Sequence, residues 1–171
     1  MVNQEVQDAI NEQIKHEFYA AYQYLGMMAF FESRSLSGFG HWMRLQAAEE
    51  ASHAMKLVDF LLDRGGSVEL GAIGKPEIDF ASPLEVMKAA LAHEQRVTRS
   101  INELYALAVK HADYPAQVLM QWFVAEQVEE EKNASEIVDQ LELAGGSASA
   151  LLVIDGRLAA READDGEVPE A

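Results

Sequence analysis

The 171-residue chain is predicted to be all-α: a four-helix bundle with one long crossover and a short fifth helix at its C-terminal end. Three observations predict this. Only four prolines and eleven glycines occur, and they cluster so as to leave four long uninterrupted segments. No stretch alternates apolar and polar residues with period two, so strands are not expected. Two of the joins between segments are short, and the third, Ser67 to Ser82, is sixteen residues long.

Each segment carries the stripe and the punctuation of a helix. From about Asn3 to Arg34, Ile10, Ile14, Ala21, Tyr24, Met28 and Phe31 recur at alternating three- and four-residue steps, the spacing of a buried seam. From about His41 to Arg64 the seam passes through Met43, Leu57 and Phe60, and Gly65-Gly66 supplies a left-handed stop. From about Pro83 to His111 it is Leu84, Met87, Leu91, Ile101, Tyr105 and Ala108. Ser82-Pro83-Leu84-Glu85 opens that helix with a capping serine, a proline at the first helical position and a glutamate three after the cap. From about Tyr114 to Ala144 the seam is Ala116, Met120, Phe123, Ala134, Ile137, Leu141 and Ala144, between a cap at Asp113 and the stop Gly145-Gly146. Ser147 to Arg161 is a weaker, short helix interrupted by Gly156.

The joins fix the topology. Ser35 to Gly40 and Ala112-Asp113 are short enough to make antiparallel hairpins of segments one and two and of three and four. At about 3.3 Å per extended residue, the Ser67–Ser82 stretch spans a whole bundle, which sets segments two and three parallel. One domain over residues 1–161 is expected, followed by an acidic tail over 162–171 that lacks apolar anchors and reads as mobile.

Composition narrows the function. Twenty-nine acidic against thirteen basic residues leave a formal charge of −16, which repels nucleic-acid phosphates and anionic lipid surfaces and favours cations. No nucleic-acid or membrane partner is therefore expected. The absence of cysteine excludes disulfides, a thiol nucleophile, iron–sulfur clusters and cysteine-ligated zinc. The start lacks the basic flank and apolar core of a secretion signal, and no run approaches the length of a membrane span, so a cytoplasmic protein is expected.

The informative residues are polar ones on the apolar seams. Glu17 stands on the first, Gln46, Glu50 and His53 on the second, Glu94 and Thr98 on the third, and Gln127 and Glu130 on the fourth. Measured from the hairpin ends, the glutamates, His53 and Gln127 fall at matching depths to within about two turns, or about 10 Å. Any one of these alone reads as a misplaced boundary or a snorkelling side chain. Ligand types at one depth on four helices do not, because buried carboxylates are costly without compensating charge and no lysine or arginine shares their seams. Divalent cations meet the need, and the spacing Glu50-x-x-His53 puts two ligands one turn apart on one face. Oxygen-rich ligation with a single imidazole favours iron or manganese over structural zinc, and four carboxylates suffice for a pair of ions. Tyr24 and Trp122 read first as packing aromatics, and His16, His41, His93 and His111 lie off the seams. The run Glu126, Glu129, Glu130, Glu131 borders the site, where a solvated face and a secondary metal position are equal readings.

With its Glu17 and Tyr24 seven residues apart, Glu50-x-x-His53, Glu94 and Gln127-x-x-Glu130, the chain resembles the prokaryotic non-haem ferritins over residues 3–160. The resemblance implies a ferritin-like bundle and an iron-storage protein with ferroxidase activity, taking Fe(II) and oxygen or hydrogen peroxide. It implies that Glu17, Glu50 and His53 bind one iron and Glu94 and Glu130 a second, with Glu50 bridging and Gln127 hydrogen bonding beside them. Glu49, Glu126, Glu129 and Glu130 match a third iron position, and Tyr24 matches a nearby electron donor. A hollow homo-oligomeric shell, the 24-mer, is implied as well, with the fifth helix at its four-fold axes. Bacterioferritins bind haem through a methionine where this chain has Ser52, and they carry a second histidine ligand where it has Glu130, so no haem is expected. Two rivals use the same bundle: a rubrerythrin-like di-iron peroxidase or oxidase without mineral storage, and an acidic bundle with no metal chemistry.

Overall fold

Residues 2–162 are described by a computed structural model with five helices: α1 (Gln4–Glu32), α2 (Ser37–Asp63), α3 (Pro83–Lys110), α4 (Tyr114–Ala144) and α5 (Ala148–Leu158). No strand occurs among the described residues. Beyond Glu162, the acidic tail expected over 162–171 lies outside them.

The helix ends follow the sequence punctuation. The side chains of Ser82, Asp113 and Ser147 accept from the backbone N–H groups of Glu85, Ala116 and Ala150, capping α3, α4 and α5. Gly65 and Gly145 take the left-handed conformation at φ 67° and 56°. Both hairpins, however, turn on residues other than glycine: Ser35 and Ala112 sit at φ 58° and 51°.

One boundary differs from expectation. Ser35 to Gly40 reads as a loop, yet α2 begins at Ser37 and carries Gly38 and Gly40 inside its first turn. These glycines serve close packing. A Cβ on Gly38 would lie 1.8 Å from the backbone oxygen of Asp155 on α5, and one on Gly40 would meet Glu32. Asp155 Oδ1 accepts from Phe39 N at 3.0 Å, so α5 supplies the cap that α2 lacks of its own.

The crossover runs along α1 in the direction of that helix. Asn11 bonds the backbone of Ser67 and Glu69 at 3.0 and 2.8 Å, and Gln23 bonds both backbone groups of Glu77 at 3.0 and 2.9 Å. Twelve residues of helix separate these two anchors, about 18 Å of rise. The chain is thereby carried from the end of α2 to the opposite end of the bundle, and α2 and α3 are parallel.

The core divides in two. One apolar cluster gathers Tyr24, Phe31, Phe39, Trp42, Met43, Met87 and Ile137 with Ile154 and Leu158 of α5. The other gathers Val6, Ile10, Ile14, Leu57, Ile101, Met120 and Phe123. On each long helix the two sets are separated by buried polar residues: Glu17; Glu50 and His53; His93 and Glu94; Gln127 and Glu130. A polar band thus crosses the middle of the bundle.

Candidate metal centre

The band is built by one or two positions on each of the four long helices, where the apolar seam of the helix is interrupted. Glu17, Glu50 and His53 offer ligand atoms that all lie within 4.8 Å of one another. One helical turn brings Glu50 Oε2 to 3.5 Å from His53 Nδ1, and both side chains are almost wholly buried. Glu17 Oε1 accepts from Gln13 Nε2 at 2.8 Å. Glu17 Oε2 and Glu50 Oε2 are buried and make no hydrogen bond among the described residues.

Glu94 and Glu130 enter from α3 and α4. Glu94 Oε1 accepts from the Tyr24 hydroxyl and Oε2 from Gln127 Nε2 at 3.3 Å. Glu130 Oε2 accepts from Gln46 Nε2 at 2.7 Å. These two carboxyls stand outside the tight trio, but both act on Glu50 electrostatically. Gln127 also donates to Thr98 Oγ1 at 3.3 Å, and Thr98 donates to Glu131 Oε1 at 2.5 Å. That polar file leads out into a groove between α3 and α4 lined by Ile101, Asn102 and Val128.

Burial dominates the electrostatics. It pushes Glu50 well above the ordinary carboxylate range, and the charges of Glu94 and Glu17 push further. Glu17 is raised by burial too, though less, because a proton on Glu50 would bridge to it and Gln13 donates to it. Burial raises Glu94 to about 7 and, with Glu94 and Glu49 adding repulsion, Glu130 to about 9. Burial, with Lys56 adding to it, lowers His53 to about 4, so its imidazole is neutral at pH 7 and available as a ligand. The Tyr24 hydroxyl is held well above 10 by burial and by Glu94, so it remains a donor.

A second group, Glu49, His53 and Glu126, offers ligand atoms within 4.8 Å of one another at the half-buried edge of the first. His53 belongs to both groups and stacks edge-on with Trp122 at 5.3 Å between ring centroids, so Trp122 packs against a candidate ligand. Glu129 is exposed and falls in neither group.

Several residues of the band were not singled out by sequence. Gln13 lies one turn before Glu17 and shows no sign of its role except that spacing. Gln46 is visible on its seam, but only the fold reveals that it serves Glu130. His93, off the seam by counting, is buried between Tyr19 and Tyr24, at 6.1 and 6.4 Å between ring centroids. Arg161, beyond the last helix, reaches Glu49 Oε2 at 3.3 Å and carried no sequence signal at all.

The donor set suits hard divalent cations of the iron type. Several buried carboxylates and one imidazole come together, and two of their oxygens, Glu17 Oε2 and Glu50 Oε2, make no hydrogen bond. A divalent cation held by Glu17, Glu50 and His53 would offset the repulsion that raises Glu50.

Comparison with known proteins places the chain in a family. Residues 7–144 match the ferritin-like domain family. The chain is 41% identical over 167 residues to the bacterial non-heme ferritin of Staphylococcus saprophyticus, covering 98% of this chain and 100% of that one. It is 36% identical over 165 residues to that of Staphylococcus aureus, covering 96% and 99%. Among solved structures, an open-pore ferritin from the hyperthermophilic archaeon Archaeoglobus fulgidus superposes with a TM-score of 0.93 at 42% identity, covering 95% of this chain and 100% of that one.

Proposed function

The chain belongs to the ferritin family, whose function is iron storage, and we propose that its polar band is a ferroxidase centre. The observation that supports this reading is the buried trio Glu17, Glu50 and His53, whose ligand atoms lie within 4.8 Å of one another and in which Glu17 Oε2 and Glu50 Oε2 make no hydrogen bond. Ferrous iron is the substrate. Glu17, Glu50 and His53 take one ion and Glu94 and Glu130 a second, with Glu50 between them and Gln127 steadying Glu94. Each Fe(II) gives up one electron. Dioxygen accepts two electrons and two protons to leave as hydrogen peroxide, and hydrogen peroxide accepts the same to leave as two waters. The chain supplies fixed ligands and a dry space, while the metal supplies the redox chemistry.

A third ion is assigned to Glu49 and Glu126 with Glu129 and Glu130 at its margin, on the way from the centre to an acidic surface. Tyr24, bonded to Glu94, is assigned as a nearby electron donor. Ser52 in place of a haem-binding methionine supports a centre without haem. The oligomer is read as a 24-subunit shell in the cytoplasm, a reading supported by the ferritin neighbours. Nothing in the fold or in these relatives favours the rubrerythrin-like alternative.

Anaerobic loading with Fe(II) followed by air tests the reading. Wild type is expected to show a fast rise in ferric absorbance that Glu94→Ala loses while its particle size is unchanged. An equally fast phase in the variant removes the centre from this band. A wild-type particle no larger than a dimer on size-exclusion chromatography removes the shell.

A further inference from the structure

After α5 the chain turns back onto the bundle at Arg161, whose backbone oxygen lies 2.9 Å from His41 Nε2. Its guanidinium stands 5.4 Å from the centroid of the Trp42 ring and 3.3 Å from Glu49 Oε2, and Nη1 donates to Gln46 Oε1. Gln46 is fully buried on α2, and its Nε2 donates to Glu130 Oε2 on α4 at 2.7 Å. One hydrogen-bonded file, Arg161 to Gln46 to Glu130, therefore joins the segment beyond α5 to the centre.

The two ends of a glutamine amide are alike in size and opposite in hydrogen-bonding sense, so its neighbours decide which end faces which. A guanidinium has donors only. It holds Gln46 Oε1 towards itself and so turns the NH2 group towards Glu130. Glu130 must then present an accepting oxygen to that NH2 group, which fixes Oε2 and leaves Oε1 to meet a cation. Without Arg161, Oε1 loses the donor that holds it away from Glu130, so the amide is less firmly fixed, and a flipped amide sets its oxygen against the ionised form of Glu130.

We propose that Arg161 is a positioning residue for the metal centre, acting through Gln46 to hold the Glu130 carboxylate in its cation-binding orientation. This rests on the reading of Glu130 as an iron ligand. The sign of the effect separates positioning from plain electrostatics. A guanidinium beside Glu49 repels cations, so by Coulomb's law alone its removal tightens cation binding. Positioning makes the same removal weaken it.

The test is calorimetric titration of the full chain with Zn(II) alone, a redox-inert stand-in, following the binding step that disappears in Glu130→Ala. Arg161→Ala is expected to weaken that step by about tenfold or more, as lost outer-shell partners do. Arg161→Lys should recover most of the affinity, and in a Gln46→Leu background Arg161→Ala should add nothing. Asp155→Ala loosens α5 at Phe39 without touching Gln46 and should leave the step unchanged. A step that is unchanged or tighter in Arg161→Ala, or equally weakened by Asp155→Ala, overturns the proposal. If no Glu130-dependent step exists in wild type, the reading of Glu130 as a ligand falls, and the proposal falls with it.

Discussion

Tyr24 on α1 donates its hydroxyl hydrogen to Glu94 on α3, and both side chains are buried at one level of the bundle. Gln127 on α4 serves the other oxygen of the same carboxylate, so Glu94 is held from two neighbouring helices. Tyr24→Phe keeps the ring in its cluster and removes only this donor. The variant is expected to lose about 1–3 kcal/mol of stability, the cost of a buried group left without its partner. Thermal denaturation of the metal-free protein checks this, and a Tm equal to wild type contradicts it.

Glu50 stands at the point of greatest mutual repulsion, so its replacement should separate stability from function. Glu50→Gln keeps the shape and removes the ionisable group that burial, Glu94 and Glu17 all disfavour. The metal-free variant is expected to gain about 1 kcal/mol, which in a domain of this size raises Tm by about 2–4 °C. It should also lose rapid iron oxidation. A Tm below wild type would show that Glu50 is held by structure rather than poised for a cation.

Stability of the metal-free protein should depend on pH with a definite sign. Glu94 and Glu130 titrate at about 7 and about 9 in the fold, above their ordinary 4.5. Their stabilising contribution is complete below the ordinary value and is lost as pH rises through the folded values. His53 and His93, lowered to about 4 from 6.5, act oppositely: their contribution is present above 6.5 and lost as pH falls towards 4. From pH 6.5 to 9, therefore, the buried carboxyls set the trend, with Glu50 and Glu17, also raised, acting in the same sense, and Tm is expected to fall. The fall should be shallower in Glu130→Gln, and a curve of equal slope in the two proteins contradicts the assignment.

Gly38 marks where α5 meets α2. A Cβ there would lie 1.8 Å from the Asp155 backbone oxygen, which cannot swing aside as a side chain can. Gly38→Ala is expected to cost about 1–3 kcal/mol, typical of overpacking, and to loosen α5 rather than the four long helices. Faster amide exchange confined to residues 148–158, with α1 to α4 still protected, is the expected signature.

Four long helices, their caps at Ser82 and Asp113, the parallel setting of α2 and α3 and the interrupted seams were legible in the sequence. All of these follow from local spacing: periodicity shows which face of a helix is buried, and proline, glycine and capping side chains show where it stops. The bundle alone decided which buried atoms meet. Gly38 and Gly40 look like loop residues until α5 and Glu32 lie against them. Gln46 becomes a partner of Glu130, His93 becomes buried, and Arg161 reaches the centre only once the helices are packed. The candidate ligands Glu17, Glu50, His53, Glu94 and Glu130 could be named from the chain because each interrupts the apolar seam of its helix. Their distances and their unsatisfied oxygens depend on how side chains from separate helices interlock, and no local pattern along one helix encodes that.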